Sequence, residues 1–264
     1  MKKILIFIAA MIAATASLKA ANLAEKISRD HTIISQDEWY GGHRIKFDFE
    51  GLTAWIVEPV CEVAEGTPWT WTMQWADAFV PRTSVPELLA KGWHHVTLDA
   101  FEGKASDEFL PTFARFQDFL VKTLGFSPKA CLIGMSWGGF FSTRYAASYP
   151  ENVGAIYLDA PFLNFEGSNT DLGPWEKPSQ GCWTDDPRMP VNMAQTIAEA
   201  GIPILLLYGE RDTVVNPELN CKLFASRFIQ AGGDIKIIAR GMWDHHPHGL
   251  DPGDTGEIQN LFER

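Results

Sequence analysis

The chain has 264 residues, 46% of them hydrophobic, and a formal net charge of −11. That is enough apolar side chain for one large core and too short a chain for several domains. The acid excess disfavours nucleic acid or any other polyanion as a partner, except where a local basic pocket attracts one, and neither an internal repeat nor a low-complexity tract is present.

Residues 1–20 hold Lys2 and Lys3, an apolar run from Ile4 to Ala14, and then Thr15 to Ala20. This is the pattern of a secretory signal peptide cleaved near Ala20, with an apolar stretch too short to span a membrane comfortably. These residues include three lysines and no acid, so cleavage moves the formal charge from −11 to −14. An exported protein, periplasmic or extracellular and without stable membrane insertion, is therefore expected. Its four cysteines, Cys61, Cys131, Cys182 and Cys221, would meet an oxidising compartment. Cys131 reads as a small core residue; Cys182 and Cys221 are candidates to staple an inserted loop, and spacing leaves their pairing open.

A polar lead runs from Asn22 to Asp37. Arg44 to Phe49 then alternates polar and apolar side chains, Glu50-Gly51 turns the chain, and Leu52 to Val57 returns, which predicts a β-hairpin. Apolar strands are predicted at 68–75, 93–99, 129–135, 153–159, 202–208 and 234–239, with helices near 84–91, 107–124, 137–149 and 215–231. Alternation of this kind with near-continuous apolar strands implies the α/β class, with a mostly parallel sheet covered by helices on both faces. From Phe162 to Gly201 the rhythm breaks into Pro, Gly, Asn, Asp and two tryptophans before a short helix from Val191 to Ala200. A lid inserted at about 162–200 of a single 21–264 domain is expected.

Gly134-Met135-Ser136-Trp137-Gly138-Gly139 lies between the strand predicted at 129–135 and the helix predicted at 137–149. A G-x-S-x-G on a strand-to-helix corner strains the serine backbone and lifts its hydroxyl clear of the sheet. Glycines two positions either side are expected because a Cβ there would collide with the neighbouring strand or helix. A serine hydroxyl needs a base within hydrogen-bond reach and a carboxylate to orient that base. Asp212 follows the strand ending at Tyr208 and is the favoured acid over Asp159, while Glu210 reads as a solvated loop acid. The base is one of His245, His246 and His248, which follow the last strand. Two N–H donors are needed for an oxyanion. The Trp137 amide is one, and Gln74 or Trp75, with Trp75 preferred, supplies the other. Gln74, Trp183 and His248 are expected substrate contacts. His94 and His95 read as structural histidines, Asp251, Asp254 and Glu257 as carboxylates at a helix start, and Arg82, Arg115 and Arg211 as the cations to watch for a substrate carboxylate. No metal or organic cofactor is expected, because no Cys/His spacing suggests a structural metal.

The stretch from Gly241 to Pro252 resembles the G-H-x-P-x-x-x-x-P ending of many α/β-hydrolases, in which the histidine stands two residues before one proline and seven before the next. His245, with Pro247 and Pro252, satisfies both intervals, so the resemblance selects it as the base; the family's usual glycine is Asp244 here. The antiparallel hairpin leading into a mostly parallel sheet is likewise the α/β-hydrolase plan. More widely, Pro68-Trp69-x-Trp71, Leu88 to His94, the serine corner, Asp159-Ala160-Pro161, Gly201-Ile202-Pro203, Asp212 to Val215 and His245 to His248 look like a group of exported bacterial α/β-hydrolases of polysaccharide breakdown, over roughly residues 38–260. In that group the residue after the serine is often arginine, where this chain has Trp137. The resemblance implies a serine esterase acting on acetyl or methyl esters of plant-type glycans. Trp75, Trp137, Trp175, Trp183 and Trp243 are then candidates to stack on sugar faces or to pack the core and lid. A serine peptidase and an inactive glycan-binding relative are the alternatives.

Overall fold

The computed structural model describes residues 23–264. The signal peptide expected at 1–20 lies outside the described residues; among them, no helix is long and apolar enough to cross a membrane.

The strands are β1 (Ile33–Trp39), β2 (Gly42–Phe49), β3 (Leu52–Pro59), β4 (Trp69–Thr72), β5 (His94–Leu98), β6 (Ala130–Met135), β7 (Val153–Asp159), β8 (Ile204–Gly209) and β9 (Ile235–Arg240). They form one sheet in the order β1-β2-β3-β5-β4-β6-β7-β8-β9. Pairings from β1 through β3 to β5 are antiparallel, and from β5 through β4 to β9 they are parallel. The expected hairpin is β2 and β3, with Phe49 opposite Leu52. Strand β1 was not expected. It lies in the stretch read as a polar lead, and five of its seven residues are exposed on an edge, so no buried face imprints alternation on its sequence.

The helices are α1 (Val85–Ala90), α2 (Leu110–Asp118), α3 (Trp137–Ser148), α4 (Ala194–Glu199), α5 (Leu223–Gln230) and α6 (Gly256–Phe262). Alternate residues of each central strand feed two separate cores. Leu132, Ile156, Leu158, Ile204 and Leu206 pack with Phe113 of α2, Phe140 of α3, Ile197 of α4 and Phe224 of α5. Cys131, Ile133, Ala155, Tyr157, Leu205 and Leu207 pack with Leu88 of α1 and with Ile258 and Leu261 of α6. Helices therefore cover both faces, and continuous apolar strands are what such a sheet demands. The four cysteines are free thiols, so Cys182 and Cys221 do not form a staple; burial pushes the Cys131 thiol up to about 12, which fits its core reading.

His95 in β5 bears out the structural reading of that residue. Its ring is fully buried, lies flat against Trp39 at 5.5 Å between ring centroids, and its Nδ1 is 2.8 Å from Thr70 Oγ1. Burial lowers its pKa from 6.5 to about 3. The folded state therefore keeps His95 neutral over a range in which the unfolded chain takes up a proton. The resulting stability is fully present above pH 6.5 and is lost as pH falls from there toward about 3. Chemical denaturation at several pH values just below that histidine range should show this residue contributing a stability slope of about 1 kcal/mol per pH unit. The slope should shrink in His95→Asn, and identical slopes in the two proteins would refute the assignment.

Candidate active site

Ser136 joins β6 to α3 with φ 50° and ψ −119°, a region that residues bearing a Cβ seldom enter. Backbone hydrogen bonds to the end of β7, the chain just beyond it and the first turn of α3 hold it there: Ser136 N donates to Asp159 O at 3.0 Å, and Ser136 O accepts from Phe162 N and Gly139 N, each at 2.9 Å. A Cβ on Gly134 would come within 2.8 Å of Ser142 Oγ and 2.9 Å of Gly139 Cα, and one on Gly139 within 2.3 Å of Pro161 Cβ. One on Gly138 would meet nothing nearer than Gln74 N at 3.5 Å, an ordinary contact. The expectation of a collision two residues beyond the serine is thus corrected: the second indispensable glycine is Gly139, because α3 crosses the Pro161 turn one residue later.

Asp212 lies on the loop after β8, buried, with Oδ1 accepting from the Val214 and Val215 amides at 2.9 and 2.7 Å. Its Oδ2 is 2.7 Å from His245 Nδ1, and His245 Nε2 is 3.0 Å from Ser136 Oγ. With the proton on Nδ1, the tautomer Asp212 selects, Nε2 is free to accept the serine proton. The structure thus brings Ser136, Asp212 and His245 together in one relay. Asp244, which stands in place of the usual glycine, clamps two loops. Its Oδ1 accepts from the Thr213 and His245 amides at 2.7 Å each, and Thr213 Oγ1 donates to it at 3.0 Å. The Thr213 amide first, then the His245 amide and the Thr213 hydroxyl, hold its carboxyl below the usual range.

Asp159 is committed elsewhere. Its Oδ1 is 2.8 Å from His248 Nδ1, and its Oδ2 accepts from the Gly249 amide and the Tyr157 hydroxyl. Burial, reinforced by that carboxylate, drives the Tyr157 phenol well above its ordinary value, so it remains a donor. His248 is therefore not the substrate contact expected: it is a buried ring that ties the histidine loop to β7. Arg82 supports the same loop by donating to the carbonyls of His248 at 2.7 Å and Gly249 at 3.2 Å, while Arg115 pairs with Glu50, so neither is free for a substrate carboxylate. His246 is exposed; burial of part of its ring, then the neighbouring His248 and His245 imidazoles, holds it below the ordinary histidine value.

Trp183 is also corrected. It is buried with its ring edge-on to Phe165 at 5.1 Å, so its faces pack the interior and are not offered to a glycan. Trp137 and Trp175 are buried in the same aromatic cluster. Trp75 differs: 45% exposed at φ 64°, it leans on Phe101 at 4.9 Å and lines a cleft of about 460 Å³ with Trp55, Gln74, Asp77 and Asp99. Phe101 in turn touches Trp137, next to the serine, at 5.9 Å. Gln74 is buried against Gly138, and its Nε2 has no hydrogen-bond partner among the described residues. Sequence reasoning did not single out Lys104, whose Nζ lies 3.2 Å from the centre of the Phe101 ring. Nothing in local sequence marks a lysine that reaches its ring from the loop after β5.

The profile of the alpha/beta hydrolase fold family matches residues 74–181, from just after β4 past the serine corner and β7 into the 162–200 segment. S-formylglutathione hydrolase from Agrobacterium tumefaciens superposes with a TM-score of 0.62 at 15% identity, covering 88% of this chain and 96% of that one. The chain has the α/β-hydrolase fold. Other solved structures similar to it are MPT51 of Mycobacterium tuberculosis (TM-score 0.60, 16% identity, 80% of this chain and 92% of that one) and dipeptidyl peptidase 4 of Porphyromonas gingivalis. The latter has a TM-score of 0.61 at 17% identity and covers 89% of this chain but 35% of its own. No curated protein sequence matches the chain.

The α/β-hydrolase corner makes a specific prediction. Gly139→Ala and Gly134→Ala should each destabilise by about 1–3 kcal/mol through forced overpacking, whereas Gly138→Ala should unfold within about 0.5 kcal/mol of wild type. Thermal or denaturant unfolding of the three variants checks the order, and a Gly138 variant as unstable as the Gly139 one would contradict the geometry.

Proposed function

We propose that the protein is a serine esterase that cleaves carboxylic esters through an acyl-enzyme, with acetyl or methyl esters on plant-type glycans as its substrates. The observation that carries this reading is the Ser136–His245–Asp212 relay, with separations of 3.0 and 2.7 Å, mounted on a serine held at φ 50°. His245 Nε2 takes the Ser136 proton as Oγ attacks the ester carbonyl, and Asp212 holds the imidazole and stabilises its charged form. The tetrahedral oxyanion meets the Trp137 amide, one of the first-turn N–H groups that a helix leaves without an intrahelical partner. The second donor in this reading is the Gln74 amide in place of that of Trp75, because Gln74 is the residue whose backbone lies against Gly138. His245 then protonates the departing alcohol, and water activated by the same ring releases the acid.

The glycan preference draws support from the cleft beside the corner. Trp75 and Phe101 present aromatic surface there, and Asp77 and Asp99 can accept hydrogen bonds from sugar hydroxyls. Residues 162–200, whose Phe162, Phe165 and Trp175 pack onto Trp137 or Phe140 of α3, act as the lid in this reading. Export through the expected signal peptide would place the enzyme with polymeric substrates outside the cytoplasm.

With p-nitrophenyl acetate as substrate, Ser136→Ala should lower kcat at least about ten-thousand-fold and Asp212→Asn about a thousand- to ten-thousand-fold, with folding unchanged by circular dichroism. Equal turnover by wild type and Ser136→Ala would end the esterase reading. Incubation with acetylated xylans and methyl-esterified pectins, with acetate and methanol quantified, assigns the ester; release of neither removes the glycan part.

A further inference from the structure

The loop after β9 places three imidazoles around one point. The rings of His245, His246 and His248 have centroids 4.8 Å apart in every pair, and one ligand nitrogen from each ring lies within 4.8 Å of the others. Two of the rings are anchored in the same manner: Nδ1 of His245 faces Asp212 at 2.7 Å, and Nδ1 of His248 faces Asp159 at 2.8 Å. Each therefore offers Nε2. A carboxylate on the far nitrogen is the arrangement that orients metal-binding histidines and raises their basicity. The third ring, His246, is exposed and stacks on Phe79 at 5.8 Å between ring centroids, so a turn of this one side chain off Phe79 can shorten the separations toward the about 3.4 Å between ligand nitrogens that tetrahedral zinc coordination implies.

We propose that His245, His246 and His248 form a binding site for Zn²⁺ or a similar borderline transition-metal ion, and that its occupancy shuts off the nucleophile. The ion takes the His245 Nε2 lone pair that otherwise accepts the Ser136 proton, so the serine loses its base. The fourth coordination position falls to water or to the Ser136 oxygen, which lies 3.0 Å from that nitrogen. The metal is thus an inhibitor of the site and no part of its chemistry. Binding itself is independent of the esterase reading, whereas inhibition rests on it.

The test uses tag-free, EDTA-treated full-length protein. Calorimetric titration with ZnCl₂, and the visible absorption of added Co²⁺, should report one ion per chain with tetrahedral coordination. His246→Ala should weaken binding at least about tenfold. Hydrolysis of p-nitrophenyl acetate should fall in step with zinc occupancy and return with EDTA; His246→Ala should keep the metal-free rate and need correspondingly more zinc for inhibition. Absence of binding, or equal affinity in wild type and His246→Ala, would overturn the site. Binding that leaves the rate untouched would overturn the switch. If the ion binds as described but metal-free wild type cleaves no ester, the esterase reading fails and the metal site stands.

Discussion

Parallel pairing of β6, β7, β8 and β9 is the constraint from which the site follows. Strands that run the same way finish at the same edge, so the chain leaving Met135, Asp159, Gly209 and Arg240 emerges side by side. The serine, the carboxylate and the imidazole need share no sequence neighbourhood, because sheet register brings them within hydrogen-bond reach. The positive φ at Ser136 is tolerable only because this edge over-determines it: the corner is bonded to the carbonyl of Asp159 on one side and to the amide of Phe162 on the other.

The same crowding puts two carboxylates and two imidazoles out of water. A buried charge survives only when its oxygens and protons are met, and both aspartates satisfy that demand. Asp212 takes two backbone amides and His245; Asp159 takes one amide, a phenol and His248. The pairs are alike in chemistry but differ in where they lead. The ring of His245 faces a hydroxyl on a strained corner, whereas His248 holds its loop to β7 together with Gly249.

Much of this was legible in the sequence because the signals are local. The glycines around Ser136, the apolar strands and the Asp212 loop are each written within a few residues, and the architecture followed from the alternation of strands and helices. What escaped depended on distant contacts or on their lack. Strand β1 has no buried face to pattern it. Trp183 is composed like a sugar platform, and only packing against Phe165 reveals an interior role. His248 and Gln74 change meaning once Asp159 and Gly138 are seen beside them. Asp244 looked like a departure from the expected turn, and across the loop it proves to be a clamp on Thr213.

That clamp has a mechanical consequence. The segment from Asp244 to Gly249 is pinned at its start to the acid loop, at its end to β7, and along its carbonyls to Arg82. Displacing the backbone that carries His245 requires rupture of contacts to several separate elements at once, so the loop has no private route to disorder. Its alignment persists for as long as the carboxyl edge of the sheet holds, and the two should melt as a single cooperative unit.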